Sequence, residues 1–156
     1  MPHVFLYAPQ DFHNLCLLAR TLEVFGQREC WVFDPRRLIR ERYGKVRSRE
    51  MRGVSAGAFE KIEWLRVEEP KPFFAEHGAR MVATVADEKA RPLTQFRFSG
   101  SEILLFGSES HGLPPEVVAA SGAAVTIPAR GQTQSLNLAV ALGIVLFEWE
   151  RQVGGL

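Results

Sequence analysis

A carboxylate, a hydroxyl and an imidazole stand side by side in Gly107-Ser108-Glu109-Ser110-His111-Gly112, a polar string that follows an apolar run. A second irregular string, Pro128-Ala129-Arg130-Gly131, follows another such run. The first string invites a hydrolase reading, but Gly-x-Ser-x-Gly is broken because Ser108 occupies the place of the first glycine. Adjacent Ser and His also rarely meet in triad geometry. Metal binding is weaker still, since His3, His13, His77, His111, Cys16 and Cys30 show no ligand spacing. Neither a G-x-G-x-x-G nor a Walker pattern occurs, which disfavours an ordinary dinucleotide or nucleoside triphosphate site. What remains is a pair of strand-end loops able to lie together and cradle one small molecule between backbones.

Individual positions carry two readings each. Gly107 ends a strand without a side chain, either as a simple turn or to let backbone approach a flat ligand. Glu109 is a solvated loop carboxylate or the partner of a guanidinium held in a fork. Ser135 is the N-cap of the last helix, a pocket residue, or both. Asn137 needs partners, because it opens a helix that is otherwise apolar from Leu136 to Phe147. A dimer contact and a substrate are its two candidates. Ile127 and Leu136 are pocket walls or ordinary core.

The elements that must position these residues alternate. Strands are expected at His3–Ala8, Cys30–Phe33, Lys61–Arg66, Met81–Val85, Glu102–Phe106 and Ala123–Ile127. Helices are expected at Asp11–Phe25, Pro72–His77, Pro114–Ala120 and Ser135–Gln152, with Asp11 capping the first and Gly26 stopping it. Asp87–Phe98 reads mostly as loop. This order argues for an α/β fold, a mostly parallel sheet with helices on both faces. Ligands in such sheets collect at the carboxyl ends of strands, where both polar strings lie. A closing helix apolar all round must be buried all round, and a chain this small needs a second copy to cover it, so a homodimer is expected.

At 156 residues, 46% hydrophobic and 24% charged, the chain reads as one soluble globular domain, 1–156. Two cysteines without a framework point to a reducing cytoplasm, and neither a leader peptide nor a membrane span is legible. The net charge of +1 conceals a basic segment. Arg36, Arg37, Arg40, Arg42, Lys45, Arg47, Arg49 and Arg52 face only Asp34, Glu41 and Glu50, a local +5 that leaves −4 elsewhere. It is either a solvated surface loop or a footprint for RNA phosphates.

Three ordered segments resemble the motifs of the SPOUT RNA methyltransferases, in the branch that methylates ribose 2'-oxygens. They are Asn14 to Thr21 continuing to Phe25-Gly26, Phe106 to Pro114, and Ile127 to Gly131 followed by Ser135-Leu136-Asn137. Ser55 to Glu60 also resembles a segment leading into the family's third strand. The likeness covers nearly the whole chain. Cys16 departs from it where a Gly is usual, and Ala129 where a Met is common.

The resemblance implies a C-terminal deep trefoil knot, which nothing in composition or periodicity could reveal. It implies S-adenosylmethionine bound near Thr84, Gly107, Ile127 and Leu136. It further implies that Asn14, Arg20, Glu109, Ser135 and Asn137 form the catalytic set, with Glu109 orienting Arg20. The expected substrate is RNA, tRNA ahead of rRNA, with no metal and no membrane. The rival reading is a catalytically silent RNA-binding or adaptor dimer of the same fold. A base methyltransferase is disfavoured because the Asn14/Arg20 pair resembles the ribose branch.

Overall fold

In a computed structural model the protein is described over residues 1–39, 49–133 and 135–155. Valine-, leucine- and phenylalanine-rich runs form seven strands: β1 (His3–Tyr7), β2 (Glu29–Phe33), β3 (Glu63–Arg66), β4 (Met81–Thr84), β5 (Arg91–Pro92), β6 (Ile103–Phe106) and β7 (Ala123–Thr126). They hydrogen-bond in the order β3-β2-β1-β6-β4-β7-β5, and every pairing is parallel. β6 is buried at all four positions, as the middle of a sheet covered on both faces requires.

Among the described residues, five α-helices flank the sheet. α1 (Phe12–Val24), α2 (Arg49–Ser55) and α5 (Leu138–Trp149) lie on one side, with α3 (Pro70–His77) and α4 (Pro115–Ala119) on the other, and Glu150–Gly154 continues α5 as a π turn. Period-two alternation sorts the strand residues between these layers. Val4, Leu6, Val32, Leu104 and Phe106 face Leu15, Leu18, Leu22, Leu142 and Leu146. Phe5, Met81, Ala83, Ile103 and Leu105 face Phe74 and Val117.

The expected α/β architecture with helices on both faces is therefore present, with three differences in detail. Phe59–Lys61 forms a 3-10 turn, so β3 starts at Glu63 rather than Lys61. The stretch read as loop from Asp87 to Phe98 contains the short edge strand β5, too brief to leave a periodic signal. The last helix begins at Leu138, not Ser135, and its N-cap is Asn137, whose Oδ1 accepts from the Ala139 N–H at 2.9 Å. Elsewhere the local chemistry matches expectation: Asp11 caps α1 by accepting from the Asn14 N–H at 2.8 Å.

The far end of α5 is anchored to the sheet by one buried carboxylate. Glu102, just before β6, accepts from Trp149 Nε1 at 3.0 Å, from Gly100 N at 3.0 Å, and from the Ser99 backbone and hydroxyl. Burial opposes its ionisation, but the bonds from Ser99 and Trp149 outweigh that, and its carboxyl lies below the ordinary value of 4.5. Because the folded-state pKa is depressed, this contribution is present above the unfolded pKa and is lost as pH falls through the folded one. Glu102→Gln puts an amide donor against these N–H groups and is expected to cost about 1–3 kcal/mol in urea denaturation at pH 7. The same variant should lose less further stability than wild type when the titration is repeated at progressively lower pH below the ordinary value of 4.5.

Candidate active site

Parallel pairing brings the carboxyl ends of β1, β6, β4 and β7 to one edge of the sheet. Thr84, Gly107 and Ile127 end or follow the neighbouring strands β4, β6 and β7, so the three expected cofactor positions share that edge. The Thr84 hydroxyl is enclosed and has no hydrogen-bond partner among the described residues. A buried hydroxyl left unpaired is costly, and a polar ligand atom would satisfy it. Leu136 is 47% exposed beside the N-cap of α5, a wall still open rather than closed into the core.

Gly107 is required sterically. A Cβ there would lie 2.1 Å from the Gly112 carbonyl carbon, because Ser108 and Gly112 pair through bonds of 3.0 and 2.9 Å. This closes a hairpin with Glu109, Ser110 and His111 at its tip. Gly112 sits at φ 64°, the left-handed region that glycine enters without strain.

The tip is docked on the segment between β1 and α1. Glu109 accepts from Gln10 N at 2.8 Å, from Asp11 N at 3.2 Å and from Asn14 Nδ2 at 3.4 Å. Asn14 Oδ1 in turn accepts from Asn137 Nδ2 at 3.0 Å. Since Asn137 Oδ1 is held by Ala139, each amide has one orientation: donors run from Asn137 to Asn14 and end on the carboxylate. Three of the five expected catalytic residues are thus brought into one chain of hydrogen bonds.

Arg20 is not held by Glu109. Glu109 is occupied by N–H groups at the start of α1, where the helix dipole also favours a negative charge. Arg20 lies six residues beyond Asn14, roughly 9 Å along the helix axis. The expected fork between the two is therefore absent. Instead Arg20 is exposed on the wall of a cleft of about 600 Å³ between α1 and α5, which it shares with Leu17, Thr21, Asn137, Val140, Ile144 and Phe147. Asn137 links this cleft to the Glu109 chain.

Ser135 is exposed in the segment leading to α5, and with Asn137 as the cap it is not the helix N-cap. Cys16 is buried, and burial, with Glu60 and Asp11 adding, pushes its thiol up to about 11, so it is a packing group rather than a nucleophile. Gln10 and Asp11, which hold Glu109 through backbone N–H groups, were not legible as site residues, because a backbone donor leaves no side-chain signature.

Of the basic segment, Arg36 and Arg37 are exposed just beyond the carboxyl end of β2, and Arg52 on α2 is 3.5 Å from Glu60. Arg49 begins α2. Arg40, Arg42, Lys45 and Arg47 lie outside the described residues.

Comparison with known proteins gives the family and the fold. Residues 1–147 match the model of the SpoU rRNA Methylase family. The 23S rRNA (guanosine-2'-O-)-methyltransferase of Acinetobacter baylyi is 37% identical over 146 residues, 91% of this chain and 56% of the relative. The tRNA (cytidine(34)-2'-O)-methyltransferase of Beijerinckia indica is 46% identical over 81 residues, 52% of this chain and 50% of the relative. The chain thus aligns with about half the length of each of these curated relatives. A solved structure described as giving structural insights into the 2-OH methylation of C/U34 on tRNA superposes with a TM-score of 0.80 at 30% identity, covering 100% of this chain and 98% of that one. An AdoMet-bound rRNA methyltransferase from Sinorhizobium meliloti gives a TM-score of 0.74 at 28% identity, over 97% of this chain and 56% of that one. With the family model matched from the first residue to within α5, the chain belongs to the SpoU rRNA methylase family.

Proposed function

We propose that the protein transfers a methyl group from S-adenosylmethionine to a ribose 2'-hydroxyl of RNA, and that the RNA is tRNA ahead of rRNA. The carrying observation is the chain Asn137–Asn14–Glu109, set between the strand ends at Thr84, Gly107 and Ile127 and the cleft that holds Arg20. The donor supplies an electrophilic methyl on sulfonium, so the protein's task is to bind, orient and handle charge on the acceptor oxygen. The enclosed, unpaired Thr84 hydroxyl and the side-chain-free strand end at Gly107 suit a purine nucleoside laid against that edge. Family kinship adds a trefoil knot in the C-terminal part, whose crossings would hold the donor.

A guanidinium is a poor general base, so Arg20 serves as a cation. It grips a phosphate of the acceptor nucleotide or stabilises the developing alkoxide. Asn14 and Asn137, whose amides are locked in orientation, line the approach to that oxygen. Ser135, exposed in the same approach, completes the set. Arg36 and Arg37, exposed just beyond the carboxyl end of β2, supply phosphate contacts, a role shared by the other basic residues of the segment.

Preference for tRNA is supported by the near end-to-end correspondence with the C/U34 structure and by the Beijerinckia relative. Both point to the nucleotide at position 34. A homodimer is supported by the outer face of α5. Val140, Ile144 and Phe147 are 50%, 37% and 54% exposed, and their spacing along α5 puts them on one stripe, with Leu136, 47% exposed, just ahead of the helix. A contiguous apolar stripe beside a cationic cleft is a surface that a second copy would cover.

Arg20→Ala is expected to lower methyl transfer at least roughly 10²-fold while calorimetric binding of S-adenosylmethionine stays near wild type. Retained activity would remove Arg20 from its role. Mass spectrometry of nuclease-digested tRNA from a deletion strain should show one missing 2'-O-methyl nucleotide, and binding of both ligands without any such loss would favour the silent adaptor. Ile144→Asp on the stripe should convert a particle of twice the 17.5 kDa chain mass to monomer in light scattering.

A further inference from the structure

We infer that Tyr7 and Phe33 form a platform on which an unpaired base of the RNA stacks beside the methylated nucleotide, an assignment that rests on the RNA methyl transfer proposed above.

Strands β1 and β2 run parallel with Tyr7 opposite Phe33, so both side chains leave the sheet on one face, the face of Phe5, Phe74 and Val117. Their rings lie 5.1 Å apart, tilted by 46°. At the centre of that face Phe5 is buried, with Phe73 and Phe74 against its ring. The strand ends are less closed: Tyr7, Phe33 and, just past β3, Val67 all stay partly exposed. Among the described residues Tyr7 is the one ring in contact with Phe33. Half-covered aromatic rings in a row offer a surface to a ligand that is itself flat.

Register sets this pair beside the site. Leu6 pairs with Phe106, so Tyr7 is level with Gly107 one strand away, and Phe33 lies two strands away. Those steps are about 5 and 10 Å across the sheet. Three residues past Tyr7, the Gln10 N–H donates to Glu109. Just past Phe33 come Arg36 and Arg37, both exposed, and neither has an ion-pair partner among the described residues.

Two uncommitted guanidiniums next to an aromatic pair suit a partner that carries both phosphates and flat rings, which is unpaired nucleic acid. A basic peptide would meet like charge there. Burial, with Glu116 adding, pushes the Tyr7 hydroxyl above its ordinary value of 10.0, so Tyr7 meets RNA as a neutral ring. Glu68, the first carboxylate past β3, is itself held by Arg66 at 3.0 Å. The phosphate therefore belongs on the Phe33 side of the pair, toward Arg36 and Arg37.

The test uses the full chain and tRNA isolated from a strain lacking the gene. Phe33→Leu and Tyr7→Leu keep apolar bulk and remove a ring, and each should weaken tRNA in filter binding roughly tenfold. The dependence of affinity on salt should stay as in wild type, whereas Arg36→Ala should lower its slope by about one. Calorimetric binding of S-adenosylmethionine and particle mass in light scattering should match wild type. Phe33→Tyr, which restores a ring, should bind tRNA more tightly than Phe33→Leu. Ultraviolet crosslinking of the wild-type protein to the same tRNA, read by mass spectrometry of its peptides, should place a nucleotide on Tyr7 or Phe33.

The platform is overturned if both leucine variants bind tRNA within about twofold of wild type, a result that leaves this face to a protein partner. Crosslinks confined to other residues overturn it as well, and that outcome stands even where a leucine variant fails to fold. A loss of affinity that comes with a lower salt slope reports phosphate contacts and overturns stacking. A wild type that binds no tRNA defeats the proposed activity and the platform together. A wild type that methylates tRNA while its leucine variants bind as tightly defeats the platform alone.

Discussion

One carboxylate connects the parts of this site that are farthest apart in sequence. Glu109 collects two backbone N–H groups from the turn between β1 and α1 and one amide N–H from Asn14. Asn14 carries the link to Asn137, more than a hundred residues away along the chain. A bond to a charged acceptor contributes more than a neutral one, and an ionised carboxylate at a helix start also meets a favourable dipole. Removing it would leave three donors facing an empty place and release the hairpin tip from α1. The position of the tip, the start of α1 and the start of α5 are therefore one structural decision.

That constraint explains why the sheet matters to the chemistry. Parallel pairing of β1 with β6 sets the loops after both strands at the same height, and the β6 to β4 and β4 to β7 pairings extend the edge. Strand β6 interposed between β1 and β4 is where the order of strands departs from their order in sequence, the kind of crevice where α/β sheets bind ligands. The opposite end of α5 is tied down independently, through Trp149 and Glu102. The closing helix is thus held at both ends while its middle presents an apolar stripe outward.

Much of this was legible in the residues, for reasons that can be named. Alternating apolar runs marked all the long strands, and Asp11 declared itself as a cap because a short polar acceptor precedes a periodic helix. The family motifs carried Asn14, Glu109 and Asn137, and the fold joins them. What escaped depended on long-range geometry. Nothing in the string from Ser135 to Leu138 distinguishes Ser from Asn as the cap, since both are good ones. The choice was made by Asn14, whose oxygen takes the second half of the Asn137 amide. The Glu109–Arg20 pairing failed for a similar reason: sequence supplies opposite charges, but the backbone of Gln10 and Asp11 reached the carboxylate first.

The separation of Arg20 from Glu109 bears on how the two act. A guanidinium already clamped by a carboxylate would meet RNA as part of a neutral pair, and its attraction for phosphate would be largely spent. Here the negative charge is absorbed by the start of α1, and Arg20 stands exposed in a cleft whose other walls are mostly apolar. Covering that cleft with a second copy would exclude water and strengthen every charge interaction inside it, because the effective dielectric falls. The apolar stripe and the unclamped cation are then two aspects of one arrangement. In the proposed dimer, the surface that drives association would be the surface that makes the arginine's charge effective against phosphate or alkoxide.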